Sequence, residues 1–151
     1  MSDRRPLLLA GLGLLGLTIS GYLTAYQLGL VRSVWDPLFD GGSARVLTSP
    51  ISRALPVPDA SLGAVAYALD VILALAIALR LGPRWPLAAL LATVSSLAAL
   101  AAIGLAILQP VAVGTFCTLC LASASISVGL ALGALAEARD QARTRRLEVN
   151  P

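Results

Sequence analysis

The residues best suited to chemistry in this sequence are its only two cysteines, Cys117 and Cys120, which form a Cys-Thr-Leu-Cys motif. Residues three apart on a helix share one face, so the two sulfurs are placed to close into a disulfide. If Cys117 lies near a helix N-terminus, the helix dipole favours its thiolate. The motif therefore predicts a two-electron redox site. A pair of inert, buried cysteines is the alternative that spacing alone leaves open.

A metal centre is a weaker interpretation of the same pair. The chain has no histidine, one methionine and no second cysteine pair. A tetrahedral metal site and a b-type haem both need ligands of those kinds. We therefore predict no metal ligands.

The elements that must position the cysteines are membrane helices. Hydrophobic residues make up 58% of the chain and charged residues 13%, and the mean hydropathy is +0.85. A spanning helix needs about 20 apolar residues, and four stretches reach that length, at about 7–29, 61–80, 87–108 and 115–138. We predict an all-α fold. Residues 1–151 form one domain, a bundle of four transmembrane helices with a long outer loop between helices 1 and 2.

The arginines indicate how the bundle is oriented. Eight of the eleven flank the helices on one side, namely Arg4, Arg5, Arg80, Arg84, Arg139, Arg143, Arg145 and Arg146. By the positive-inside rule both termini are cytoplasmic, and the long loop and the cysteine motif face outward. Because these charges lie at helix ends rather than on one soluble face, a nucleic-acid partner is not expected. The first apolar run is too long for a signal peptide and is interpreted as a retained anchor.

We make predictions for two further features of the sequence, a loop segment and a carboxyl group. Residues 46–54 could form a short amphipathic helix parallel to the membrane surface. Asp70 lies about three turns into helix 2, where an ionisable group is by default a functional candidate. A carboxyl group that only packs helices together is the equal alternative, and a transporter built on Asp70 lacks supporting repeats.

A dithiol at the membrane boundary needs an electron acceptor. The apolar interior of a four-helix bundle is a natural pocket for a lipid-soluble quinone. Composition alone shows only that a quinone would be soluble there.

Several motifs along the chain have a common resemblance. The loop segment 43–49 contains a Val-x-x-Ser motif at Val46 and Ser49, helix 2 begins with Gly63-x-x-x-Tyr67, and the last helix carries the cysteine motif. In this order, over nearly the whole chain, they resemble the vitamin K epoxide reductase family.

The resemblance implies a four-helix bundle around a quinone of the menaquinone or ubiquinone type. It implies a thiol:quinone oxidoreductase of the bacterial plasma membrane that oxidises an extracytoplasmic thioredoxin-like protein. Cys120 would be the inner sulfur facing the quinone, and Cys117 the outer one that exchanges with a thiol. Ser49 would help to close the quinone pocket, with Asp59 and Tyr67 as further pocket candidates.

The chain also departs from the family pattern. Members usually carry a second cysteine pair in the first loop, and the matching positions here are Trp35 and Ser43. A tyrosine often found one turn after the cysteine motif is replaced by Ala124. The partner's thiols must therefore reach Cys117 directly, or a separate protein supplies the relay. The alternative is a non-catalytic membrane subunit or assembly factor that retains the bundle.

Overall fold

The computed structural model describes residues 4–54 and 56–149, and these residues form α-helices and no β-strand. The five helices are α1 (Arg4–Gln27), α2 (Gly42–Leu47), α3 (Asp59–Ala78), α4 (Arg84–Ala112) and α5 (Thr118–Val149). The predicted all-α class is confirmed.

Four of the helices in the described part of the chain are long and apolar enough to cross a membrane, namely α1, α3, α4 and α5. Many large apolar side chains on them point away from the bundle, among them Leu14, Ile72 and Leu100. In water such a surface would be costly, whereas lipid tails solvate it well. The chain is a multi-pass membrane protein.

The four long helices pack in a ring. Helix α1 contacts α3 and α5, and α4 contacts the same two helices. Small residues allow the close approaches that membrane helices need, since lipid offers no hydrophobic drive for their association. Gly13 lies against Val71 of α3, and Gly133 of α5 lies against Leu9.

The bundle has two ends, which we call the loop end and the tail end. The loop end holds residues 28–58, with α2, and the α4–α5 connection. The tail end holds the start of α1 and the last turns of α5, where Arg5 pairs with Asp140 and Glu137. Both described chain ends therefore lie at the tail end.

The loop helix differs in position from the amphipathic segment expected at 46–54. Helix α2 begins four residues earlier and ends at Leu47. Helical backbone is disfavoured at the residue before a proline, which is Ser49 here, so the helix does not continue through Pro50. Single hydrogen-bonded turns follow it. Helix α5 runs eleven residues past the expected end at 138, because its charged tail stays helical.

Candidate functional site

A disulfide joins Cys117 and Cys120 at the start of α5, with their Cα atoms 5.1 Å apart. Cys117 immediately precedes the helix, and its carbonyl accepts the N–H of Leu121 at 3.0 Å. Its Sγ accepts the backbone N–H of Cys120 at 3.1 Å. The Cys117 side chain thus occupies the position of a helix cap, where the helix dipole favours negative charge on the sulfur once the disulfide is reduced.

Two side chains bind the backbone around Cys117. Gln109, near the end of α4, accepts the Cys117 N–H on Oε1 at 2.9 Å. Ser43, in α2, accepts the Thr118 N–H on Oγ at 3.1 Å. The first amides at this helix end are therefore paired within the protein, which fixes the disulfide relative to α4 and to the loop.

The loop segment 36–43 covers Cys117, and Asp36 anchors it. The Asp36 carboxylate accepts the Thr118 hydroxyl at 2.6 Å, the Ser43 N–H at 2.7 Å and the Phe39 N–H at 3.3 Å. The Phe39 ring also packs against the Phe116 ring, with centroids 5.5 Å apart. Cys117 is consequently 0% exposed. In this conformation a thiol from another protein does not reach its sulfur.

The hydrogen bonds at Asp36 also change its ionisation. Desolvation by burial raises its pKa, but the hydrogen bonds from Ser43, Thr118 and Phe39 together outweigh that effect and lower the pKa below the usual value. The charged form is the one that these donors stabilise. The anchor therefore depends on an ionised Asp36.

A cavity of about 420 Å³ lies beside the disulfide, between the loop and the four long helices. Cys120 lines it and Cys117 does not. Its wall is mostly apolar and includes Leu23, Leu47, Leu62, Ala98, Ala102, Leu105 and Leu108. The two sulfurs are thus unequal: one faces the cavity, and the other lies under the loop.

The expected pocket residues Ser49, Asp59 and Tyr67 all line this cavity, together with Cys120. Asp59 is tied into the wall: Oδ1 accepts Gln27 Nε2 at 2.6 Å and the Ala60 N–H at 2.8 Å, and Oδ2 accepts the Ser52 hydroxyl at 2.8 Å. Its carboxylate therefore joins α1, α3 and the loop.

Tyr67 and Ser49 are also engaged with the protein. The Tyr67 hydroxyl lies 2.6 Å from the Ser123 carbonyl oxygen and 2.8 Å from the Ser127 hydroxyl of α5. The buried Ser49 accepts the Ser52 N–H on Oγ at 3.4 Å. Asp70 lies outside the cavity wall, where its Oδ1 accepts the Ser95 hydroxyl at 2.8 Å and links α3 to α4.

Gln109 and Asp36 are the site residues that sequence reasoning missed. Gln109 is a lone amide in an apolar helix, immediately before Pro110. Such a residue at a helix end is easily interpreted as an interfacial group. Asp36 belongs to no local sequence motif. Its partner Thr118 lies 82 residues away in the chain, so the pairing leaves no local pattern.

The fold and the site together define a membrane bundle with a cysteine pair at the wall of an apolar cavity. A model of the vitamin K epoxide reductase family matches residues 7–135, and the chain belongs to that family. At the family level this indicates a membrane thiol-dependent quinone oxidoreductase. Comparisons of the sequence with curated proteins and with solved structures gave no match.

Proposed function

We propose that the protein is a membrane thiol:quinone oxidoreductase that passes electrons from a thiol partner through Cys117 and Cys120 to a quinone. The observation that carries this proposal is the position of Cys120, in a disulfide and at the wall of an apolar cavity inside the bundle. A purely structural disulfide has no need of such a cavity.

The residues of the cavity fit a quinone ring. A volume of about 420 Å³ lies within the usual range for small-molecule sites, about 300–1,000 Å³. The wall is apolar, with a few polar groups that could orient a ring, among them Ser49, Asp59 and Tyr67. Menaquinone and ubiquinone types both meet this description.

The electron balance follows from the two sulfurs. A partner dithiol reduces the Cys117–Cys120 disulfide, so the partner's two sulfurs become joined and both cysteines become thiols. A bound quinone supplies an acceptor for two electrons and two protons. When the two thiols lose these, the disulfide forms again, with Cys120 on the side of the cavity.

Cys117 would be the sulfur attacked by the partner. The partner must therefore meet an open form of segment 36–43, since that segment buries Cys117 in the closed form. The chain has no other cysteines, so no internal thiol relays the electrons. We infer that a thioredoxin-like protein outside the bacterial plasma membrane binds at the loop end, and that both termini are cytoplasmic.

Replacing the cysteines tests this proposal. Cys117→Ser and Cys120→Ser should each abolish dithiol-dependent quinone reduction by the purified protein, because neither variant can close the disulfide. Absorbance at the quinone band measures the rate. Ser125→Ala is the control, since among the described residues the Ser125 hydroxyl binds only its own helix, at the Leu121 carbonyl oxygen. Full activity in both cysteine variants would contradict the proposal.

A second candidate is a non-catalytic membrane subunit. The observation in its favour is the lack of cysteines in the first loop, where the resemblance to the family implies a second pair. Thiol labelling of isolated membranes separates the two functions. A subunit would keep Cys117 and Cys120 in one redox state whatever quinone or dithiol is added, whereas the oxidoreductase would change state with both.

A further inference from the structure

Gln109 has an unusual place at the site, because one side chain contacts both the cysteine pair and the cavity. It is 6% exposed and lies in the last turns of α4. Its Oε1 accepts the Cys117 N–H. The same residue lines the cavity that Cys120 borders.

The orientation of the Gln109 amide follows from its partner. A backbone N–H can only donate, so the atom that faces Cys117 must be the oxygen. The NH₂ group is then the remaining polar part of the side chain. Within residues 4–54 and 56–149, the structure gives it no hydrogen-bond partner. The NH₂ is not among the fully enclosed side-chain atoms that lack a partner, so it is open to a ligand.

Two other polar residues of the wall are less available as donors. Both oxygens of Asp59 already accept hydrogen bonds from other groups of the protein. The Tyr67 hydroxyl lies within hydrogen-bond distance of Ser123 and Ser127. A quinone carbonyl is an acceptor and needs a donor, and the Gln109 NH₂ is a donor of this wall with no partner among the described residues.

We propose that Gln109 is a quinone-binding residue, whose Nε2 donates a hydrogen bond to a quinone carbonyl while its Oε1 holds the Cys117 amide. The proposal rests on the proposed function and names a residue of that same site. One carboxamide then sets the position of the ring relative to the start of α5. Quinone binding and the geometry of the cysteine pair become linked through it.

Binding to the oxidised protein tests the proposal without turnover. The probe is ubiquinone-1, whose ring is fully substituted and does not alkylate thiols. Loss of one neutral hydrogen bond predicts about three- to tenfold weaker binding by Gln109→Met, measured by calorimetry. The infrared carbonyl band of the bound quinone should also move to higher frequency. Leu100→Met, in the same helix but pointing away from the bundle and outside the cavity wall, is the matched control and should bind like the wild type.

A second variant separates the two ends of the amide. At pH 8, Gln109→Glu keeps an oxygen for the Cys117 N–H but places an acceptor where the donor was. It should bind ubiquinone-1 about tenfold more weakly than the wild type, or more weakly still. The hydrogen bond is lost, and the carboxylate oxygen repels the quinone carbonyl oxygen. Its disulfide should be reduced at a rate close to that of the wild type.

The outcomes distinguish this inference from the proposed function. If the wild type binds ubiquinone-1 and both Gln109 variants bind it equally well, with an unchanged carbonyl band, then Gln109 is not a ligand. If the oxidised wild type binds no quinone at all, the proposed function itself fails. Weaker binding in both Gln109 variants and not in Leu100→Met supports the assignment.

Discussion

At the residue scale, a single carboxylate, that of Asp36, anchors the segment that covers Cys117. Three donors from two parts of the chain converge on it, and the segment that it holds covers Cys117. In the proposed reaction, the partner thiol would therefore meet a closed site. The strength of this anchor sets how often the sulfur becomes available.

Weakening the Asp36 anchor should expose the disulfide. Asp36→Asn keeps the shape of the side chain but removes its charge, and hydrogen bonds to a charged group are the stronger kind. At pH 7 we expect the disulfide to be reduced by a phosphine about three- to tenfold faster, as for loss of about one net hydrogen bond. Asp40→Asn is the control, because Asp40 lies in the same loop outside these bonds. Equal rates in all three proteins would show that Asp36 does not close the site.

The same anchor should depend on pH. The folded-state pKa of Asp36 is lowered, so its stabilisation is present above the usual Asp pKa, about 3.9, and is lost as pH falls through the folded pKa. The ratio of the Asp36→Asn reduction rate to the wild-type rate should therefore be constant near neutral pH and should approach one in acid. Comparing the two proteins at each pH removes the pH dependence of the phosphine itself. A difference that persists below the folded pKa would contradict this.

At the scale of elements, the contact of α1 with α3 positions the cavity. Gly16 of α1 lies directly against the ring of Tyr67, so a Cβ at Gly16 would overlap it. Tyr67 in turn reaches Ser123 and Ser127 of α5. The small residue thus allows three helices to meet at one cavity wall.

A methyl group at this contact should disturb both packing and binding. Gly16→Ala forces the Tyr67 ring to move, and overpacking of this kind typically costs about 1–3 kcal/mol. We expect a lower Tm in detergent and weaker binding of ubiquinone-1. Gly11→Ala, in the same helix, is a matched control because nothing lies within 4 Å of its added Cβ. A Gly16→Ala protein as stable as Gly11→Ala would mean that this close contact does not form.

At the scale of the whole molecule, the two ends of the bundle differ in chemistry. The loop end holds the cysteine pair and the cavity. The tail end holds the pairing of Arg5 with Asp140 and Glu137, and many of the arginines follow in the α5 tail. By the positive-inside rule, this distribution of charge supports the proposal that the tail end is cytoplasmic.

Labelling of single cysteines tests this orientation. In a protein without Cys117 and Cys120, Leu38→Cys marks the loop end, where Leu38 is 71% exposed, and Thr144→Cys marks the exposed tail. A membrane-impermeant maleimide should label Leu38→Cys in intact cells and Thr144→Cys only after permeabilisation. The reverse pattern would invert the proposed topology and place the thiol partner in the cytoplasm.

Much of the fold could be predicted because its causes are local. A run of about 20 apolar residues is long enough to span a bilayer, so the four long helices follow from composition along the chain. Two cysteines three residues apart near the start of a helix can form a disulfide independently of their surroundings. Their spacing was therefore enough to predict the pair at Cys117 and Cys120. Ser49, Asp59 and Tyr67 were found through family motifs, and the structure places all three around one cavity.

The sequence by itself thus determined the membrane helices and the cysteine pair, because the length of an apolar run and the spacing of two cysteines are properties of a single segment. Only the tertiary structure decided that Cys117 is covered, that Cys120 faces a cavity and that Gln109 lies between them. These features arise from contacts between distant segments, such as Asp36 with Thr118, 82 residues apart. Local pattern does not encode which distant polar groups pair, because that depends on how the helices pack.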